Sequence, residues 1–367
     1  MDMKEPFGVY IHIPFCQSKC HYCDFYSTTK RGGMSWDYVK AVGTETGRLS
    51  SLVEGRKAAS IFIGGGTPSL LTPKMTASVI ENCAKHLSLA GDCEITLEAN
   101  PESLTDKRTK GYTLAGVNRI SIGVQSLDDN SLKTLRRAHS AAKARRAVTT
   151  AMNGGFKSVS ADMMFGLPDQ SLSMWEDELK EVAGWGLDHL SCYQLTPEPG
   201  VLLLKKIEEG KISLPEDTLE FFDATEGLLN EKGYSHYEIS NYAREGKECV
   251  HNLGYWEYRD YLGVGSSSHG MVDGMRWVNV RDPSRYISRV KASGLGKLHE
   301  EKLDEKIQWT EKLMMGLRLK RGIRFGKGEV TPEIAEMVQA GMLRLRQGRL
   351  FATSRGWRTL NSVLEQI

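Results

Sequence analysis

Ile13-Pro14-Phe15-Cys16-Gln17-Ser18-Lys19-Cys20-His21-Tyr22-Cys23-Asp24-Phe25 closes a short apolar run and holds three cysteines spaced C-x3-C-x2-C. Three thiolates on one short loop hold three corners of a [4Fe–4S] cube and leave the fourth iron open. An open iron invites a small-molecule ligand, so Cys16, Cys20 and Cys23 point to chemistry at a cluster rather than plain electron transfer. A structural zinc site is the competing reading. Zinc wants four tetrahedral ligands, usually as two C-x2-C pairs, and the chain has no second pair. His21 lies between the cysteines, where completing a tetrahedron would strain the loop.

Outward from this loop, β-like runs alternate with amphipathic stretches. The runs are Gly8–Phe15, Ser60–Ile63, Glu94–Glu98, Arg119–Val124, Ser158–Met164 and His189–Leu195. Helical patterns lie between them, among them Trp36–Val53, Lys74–Leu89, Ala141–Asn153 and Leu172–Trp185. This alternation predicts an α/β fold with parallel strands joined by right-handed crossovers. Six such units are fewer than the eight of a closed TIM barrel, which favours a partial (β/α)6 barrel. A doubly wound open sheet competes on periodicity alone. Cys16, Gly64-Gly65-Gly66, Glu98-Ala99-Asn100-Pro101, Gln125, Gly166-Leu167-Pro168 and Thr196-Pro197-Glu198-Pro199-Gly200 each follow a strand. Parallel strands end on one face, so these clusters are expected to converge where α/β barrels carry their active sites.

The expected organisation is a barrel over residues 1–242, a connecting region over 243–300 and a small domain over 301–367. Helices are expected at Asp304–Lys320 and Thr331–Gln339, a hairpin at Leu343–Thr353 and a last helix at Ser354–Gln366. That order resembles a winged helix, an α+β unit that binds DNA in some proteins and serves as packing or a lid in others. A formal net charge of +2, with 26% charged residues, gives no electrostatic reason to expect nucleic acid. At 40% hydrophobic residues the 367-residue chain has ample core. No stretch nears 18 uninterrupted apolar residues, so no membrane-spanning helix is expected, while a peripheral membrane contact stays open. Met1 to Pro6 is polar, without a secretion signal. Of seven cysteines, Cys83, Cys93, Cys192 and Cys249 stand alone, which is not a disulfide framework. The expected location is cytoplasmic.

Ile61-Phe62-Ile63-Gly64-Gly65-Gly66-Thr67-Pro68 lets backbone amides approach a ligand, though glycine-rich strand ends are also common turns. Glu98 and Asp162 stand inside apolar strands, where a carboxylate needs a ligand or a basic partner; a structural ion pair would also serve. Cys16-x3-Cys20-x-Tyr22-Cys23 followed by Gly64-Gly65-Gly66-Thr67-Pro68 resembles the radical S-adenosylmethionine (SAM) superfamily. The resemblance implies SAM chelated to the open iron and cleaved by a cluster electron to a 5′-deoxyadenosyl radical. Tyr10-Ile11-His12-Ile13-Pro14-Phe15, Glu98-x-Asn100-Pro101, Gly123-Val124-Gln125-Ser126 and Asp162-x3-Gly166-Leu167-Pro168 extend it to the oxygen-independent coproporphyrinogen III oxidase group. The group's core is a (β/α)6 partial barrel. By position, Tyr10, Gly65, Glu98 and Gln125 would line the SAM pocket, joined by Gly66, Thr67 and, beside the cluster, Tyr22. Arg137 matches a SAM-contacting arginine, with Arg136 the alternative one register away, and Asp162 would meet ribose hydroxyls.

Two departures matter. The porphyrinogen enzymes carry another cysteine two residues after the third, where this chain has Phe25, and they have a longer N-terminal extension. His251-Asn252-Leu253-Gly254-Tyr255-Trp256 instead resembles the mark of related heme chaperones. That likeness implies a heme carrier, with cluster and SAM, that passes heme to acceptor hemoproteins such as respiratory enzymes. An electron donor is needed if SAM is cleaved. His251 is a candidate heme contact, since imidazole ligates heme iron and Tyr255 and Trp256 can cover a porphyrin face. Cys249, His269 and His236 are rival ligands, and aromatic packing around a capping His251 is the plain alternative. Decarboxylation of coproporphyrinogen III is the alternative activity.

Overall fold

The computed structural model describes residues 5–29, 35–326 and 329–367, so Met1–Lys4 of the polar N-terminus lie outside it. Strands β1 (Phe7–Ile13), β2 (Ala58–Gly65), β3 (Leu89–Ala99), β4 (Arg119–Gln125), β5 (Ser158–Phe165) and β6 (His189–Gln194) lie side by side in chain order. Every neighbouring pair among them is parallel. Their period-two pattern sorts the side chains. Val9, Ile11, Ile61, Ile63, Ile95, Leu97, Ile120, Ile122, Val159 and Ala161 form one apolar face in the main core. The alternate positions, Tyr10, His12, Ser60, Glu98, Ser121 and Asp162, share the other face. Greasy residues therefore bind the helices, and polar ones are left for the barrel interior. Crossover helices start on side-chain caps, Ser35, Thr72, Thr105, Ser140 and Ser171, each accepting a backbone N–H of the first turn.

The sheet runs past six strands on both sides. β7 (Ser235–Glu238) and β8 (Asn241–Ala243) add antiparallel beyond β6. β9 (Tyr261–Val264) pairs parallel with β1, and β10 (His269–Val272), β11 (Met275–Asn279) and β12 (Lys297–Lys302) follow antiparallel. The stretch expected as a connecting region over 243–300 thus carries β9 to β11 and the start of β12, all part of one twelve-stranded sheet among the described residues. Glu45 shows what holds them. This fully buried carboxylate, on the helix Trp36–Leu49, accepts from Gly265 N (2.9 Å), Gly296 N (2.6 Å), Tyr286 OH (2.6 Å) and Asn279 Nδ2 (2.9 Å).

The C-terminal unit has helices at Glu305–Gly316 and Pro332–Gln339 and a three-stranded sheet of β13 (Ile323–Arg324), β15 (Arg349–Ala352) and β14 (Leu343–Arg346). The expected last helix is two, Ser354–Arg358 and Leu360–Leu364, broken at Thr359, whose φ of −122° is not helical. Leu317, Ile334, Leu350 and Trp357 form its own core. Backbone bonds from Ile239 N to Arg318 O (3.0 Å) and Lys320 N to Tyr237 O (3.1 Å) join it to β7 and the residues after it.

Candidate cluster and cofactor site

The cysteine loop leaves β1 and is clamped at its base. Cys16 N donates to Thr28 O (3.0 Å) and Thr28 N to Pro14 O (2.7 Å). At its tip, His21 N donates to Leu135 O (3.1 Å), His21 O accepts from Leu203 N (2.9 Å), and His21 Nδ1 lies 3.0 Å from Thr134 O. The His21 imidazole is thus spent on holding the loop down. Cys16, Cys20 and Cys23 are half-buried free thiols. Burial pushes the Cys23 thiol up to about 11.

β2 supplies the floor. Gly66 N donates to Ile13 O and Thr67 N to Phe15 O, both at 2.8 Å, so this segment lies directly under the loop. A Cβ on Gly66 would sit 2.8 Å from Phe15 O and 3.0 Å from Cys16 Sγ. Gly65 adopts φ +113°, open to glycine, and sends its N–H to Glu98 Oε2 (3.0 Å). Thr67 Oγ1 lies 3.6 Å from Cys16 Sγ and accepts from Asn100 Nδ2 (3.2 Å).

Arg137 ties the wall to the loop. Its guanidinium donates to Asn100 Oδ1 and Gly123 O, each at 2.8 Å, and lies 3.4 Å from Tyr22 OH and 3.7 Å from Cys20 Sγ. Its Nε is buried and, among the described residues, without a partner, the kind of donor a carboxylate ligand would satisfy. Arg136, the alternative one register away, adopts a left-handed conformation (φ 58°) and is exposed, whereas Arg137 faces the loop. Asn100 joins Arg137 to Thr67, a bridging role that its place in the Glu98-x-Asn100-Pro101 motif does not by itself reveal.

Deeper in the barrel sit two carboxylates. Glu98 is raised to about 8, by burial first and then by the charge of Asp162. Asp162 is also raised by burial, with Ser121 Oγ donating to it (2.9 Å). Gln125 closes β4 at φ 69°, after a bulge, and accepts from Tyr193 OH (2.6 Å). Tyr10 OH bonds His12 Nδ1 (3.0 Å) while His12 Nε2 faces Tyr26 O (3.0 Å). A carbonyl only accepts, so His12 carries its proton on Nε2 and takes the Tyr10 hydroxyl at Nδ1. Burial lowers His12 to about 4, which keeps the ring neutral. His12 lies in the Tyr10–Phe15 motif but shows its role only through these contacts, and Tyr193 carries no motif signal in the sequence.

His251 stands elsewhere. It opens the helix Val250–Trp256, is 4% exposed, and bonds Ser60 Oγ through Nδ1 (2.8 Å). Phe62 stacks on it at 5.0 Å and Tyr255 meets it edge-on at 4.8 Å. The space beside it, near Gly8 and Gly254, is about 10 Å³, room for a water at most. His251, expected as a heme contact, is buried behind Tyr255, and burial lowers its ring to about 3; among the described residues its Nε2 has no hydrogen-bond partner. Cys249 and His236 are buried too, whereas His269 is exposed. His269 lines a cavity of about 500 Å³ on the cluster side with Tyr10, His12 and Phe25. Phe25 is 64% exposed there.

Residues 10–182 match the family model described as the Radical SAM superfamily. The Heme chaperone HemW of Escherichia coli is 41% identical over 78% of this chain and 77% of its own length. The Heme chaperone HemW of Mycobacterium tuberculosis is 34% identical over 96% of this chain and 92% of its own. The solved coproporphyrinogen III oxidase (HemN) of Escherichia coli, described as a Radical SAM enzyme, is 21% identical. It superposes with a TM-score of 0.83 over 98% of this chain and 89% of that one, which shows the shared fold. Near-full-length identity above 30% and the cysteine loop at the mouth of a partial (β/α)6 barrel lead to one conclusion: the chain belongs to the Radical SAM superfamily and, within it, to the HemW family.

Proposed function

We propose that this protein binds heme and delivers it to acceptor hemoproteins such as respiratory enzymes, in the cytoplasm. We further propose a [4Fe–4S] cluster on Cys16, Cys20 and Cys23 with SAM at its open iron. The observation that carries the heme reading is the 34% identity to a relative named as a heme chaperone, running over 96% of this chain. Phe25, in place of a further cysteine, supports it.

The residues around the cysteine loop fit the cluster and SAM. The Gly66 backbone passes where any side chain would strike Cys16, leaving room above the loop only while position 66 stays bare. When bound, the cluster supplies an electron and one open iron for SAM. Thr67 and Arg137 address the sulfurs of Cys16 and Cys20, and Tyr22 bounds that side. Arg137, with a spare buried N–H, suits a carboxylate. Tyr10, Gly65, Glu98, Gln125 and Asp162 would accept or donate hydrogen bonds to the rest of the nucleoside. His251 acts through Tyr10 and Tyr255, which it supports.

The test uses anaerobically reconstituted protein. Iron and sulfide content, hemin titration and transfer of bound heme to an apo-hemoprotein are measured beside coproporphyrinogen III turnover with SAM and a reductant. Heme uptake and transfer without porphyrinogen conversion is expected. Formation of protoporphyrinogen IX with no stable heme uptake would overturn the reading.

A further inference from the structure

The near-neutral total of +2 hides a strongly basic C-terminal unit. Residues 312–328 and 337–364 hold eleven arginines and lysines and no aspartate or glutamate. The sheet β13-β15-β14 gathers four of the arginines on one face. Leu343 and Leu350 turn into the unit's core, and strand alternation sends Arg344, Arg346 and Arg349 to the opposite side. Pairing sets Arg324, Arg349 and Arg346 next to one another across the three strands. Like charges directly opposite each other destabilise a sheet, so nothing inside the fold rewards this row.

A recess of about 290 Å³ opens beside the row, between β13, β15, the helix Glu305–Gly316 and the end of the helix Val250–Trp256. Among the described residues, Lys312, Arg321, Arg324 and Arg349 line it against one carboxylate, Glu257. That carboxylate is already engaged by Arg259 and Arg321. Arg349 donates to Arg321 O (2.8 Å) and Gly322 O (2.7 Å), which fixes its guanidinium at the edge of the recess. Burial first, and then the charge of Arg349, lower Arg321 from its usual value, as expected of cations crowded with too little anion.

We propose that this recess binds a ligand carrying two linked phosphoryl groups. Charge decides the class. Four cations against one engaged carboxylate leave an excess that a single carboxylate does not match. A phosphoryl group brings about two negative charges and three acceptor oxygens, and guanidinium forks meet it in bidentate fashion. Size agrees. The recess stands at the small end of ligand cavities, roughly 300–1,000 Å³, enough for the charged end of a molecule whose remainder stays in solvent. A DNA duplex fits less well: the helix Pro332–Gln339, placed to enter a groove in a DNA-reading winged unit, carries exposed Glu333 and Glu336. A free diphosphate and a lipid headgroup with two phosphates share the required chemistry.

Inorganic pyrophosphate is titrated calorimetrically into the full reconstituted chain, in wild type and in Arg324→Gln, Lys312→Gln and Arg355→Gln. All three side chains are exposed, so the core stays intact. Arg324→Gln and Lys312→Gln are each expected to weaken binding by about fivefold to tenfold, and added salt to weaken wild type as well. Arg355→Gln removes the same charge from the helix Ser354–Arg358, outside the recess, and should bind as wild type does. Phosphatidylcholine vesicles with and without cardiolipin identify the source. Cardiolipin-dependent sedimentation that pyrophosphate competes away assigns a lipid headgroup; its absence beside pyrophosphate binding assigns a free diphosphate. No pyrophosphate binding, or equal loss in all three variants, overturns the site. Tighter binding of hexaglutamate or of a DNA duplex than of pyrophosphate, lost in the same variants, overturns the phosphoryl assignment in favour of an acidic protein or nucleic acid. These readouts depend on neither heme nor SAM, so their failure leaves the carrier reading standing.

Discussion

Single side chains in this barrel are tuned by where they are buried. Glu238, fully buried at the end of β7, accepts from Ser240 N (3.3 Å) and Asn241 Nδ2, and burial raises it to about 7 from 4.5. Between these values the unfolded chain has lost a proton that the folded chain keeps. Stability must therefore fall as pH climbs from about 4.5 to about 7 and then level off, a swing of up to about 3 kcal/mol from this group. Urea unfolding at pH 5 and pH 8 checks it: Glu238→Gln should gain on wild type by ~2–3 kcal/mol at the higher pH. An equal gap at both pH values would mean that the carboxylate is ionised when folded, and the account fails. Glu98, raised to about 8, pulls wild type and variant alike in the same direction, so the difference between them isolates Glu238.

At the scale of elements, the cluster loop depends on the end of β2. Two backbone bonds seat it there, and the absent side chain of Gly66 leaves the space above. Gly66→Ala forces a Cβ to 2.8 Å from Phe15 O and 3.0 Å from both Ile13 O and Cys16 Sγ. The expected outcome is a chain of near-normal circular dichroism that takes up less than about half the wild-type iron on reconstitution, since backbone cannot move aside as a flexible side chain does. Full iron content in the variant would contradict this account. Such loop seating was readable only in part. The glycines and cysteines stood out by residue type, but His21 as an anchor to Leu135, Thr134 and Leu203 joins segments that are distant in sequence. The helix Asp106–Leu114 leaves no periodic signal in the sequence, because only Thr109 and Tyr112 of its nine residues are buried and no apolar stripe forms.

For the whole molecule, the C-terminal unit is fastened through Trp357. Its indole is 6% exposed, donates to Leu317 O (2.9 Å) and packs on His236 at 4.7 Å. Trp357→Ala should cost about 3–5 kcal/mol, read as a lower urea midpoint; a loss under about 1 kcal/mol would mean that the unit is held elsewhere. The amino-acid order alone determined much of this protein. Six parallel strands, their helices, the cysteine triad and the strand-end clusters follow from period-two and 3.6-residue patterning and from spacing within short segments, which are local properties. Tertiary structure decided the rest. Strands β9 to β12 join β1 across about 250 residues because Glu45 and the edge of β1 receive them, and no local pattern encodes that partner. It also decided that His251 is packed away while Tyr255 and Trp256 reach a cavity. His251 and Tyr255, four residues apart, share one face of their helix and touch, and only the surrounding barrel decides which of the two is sealed off and which reaches open space.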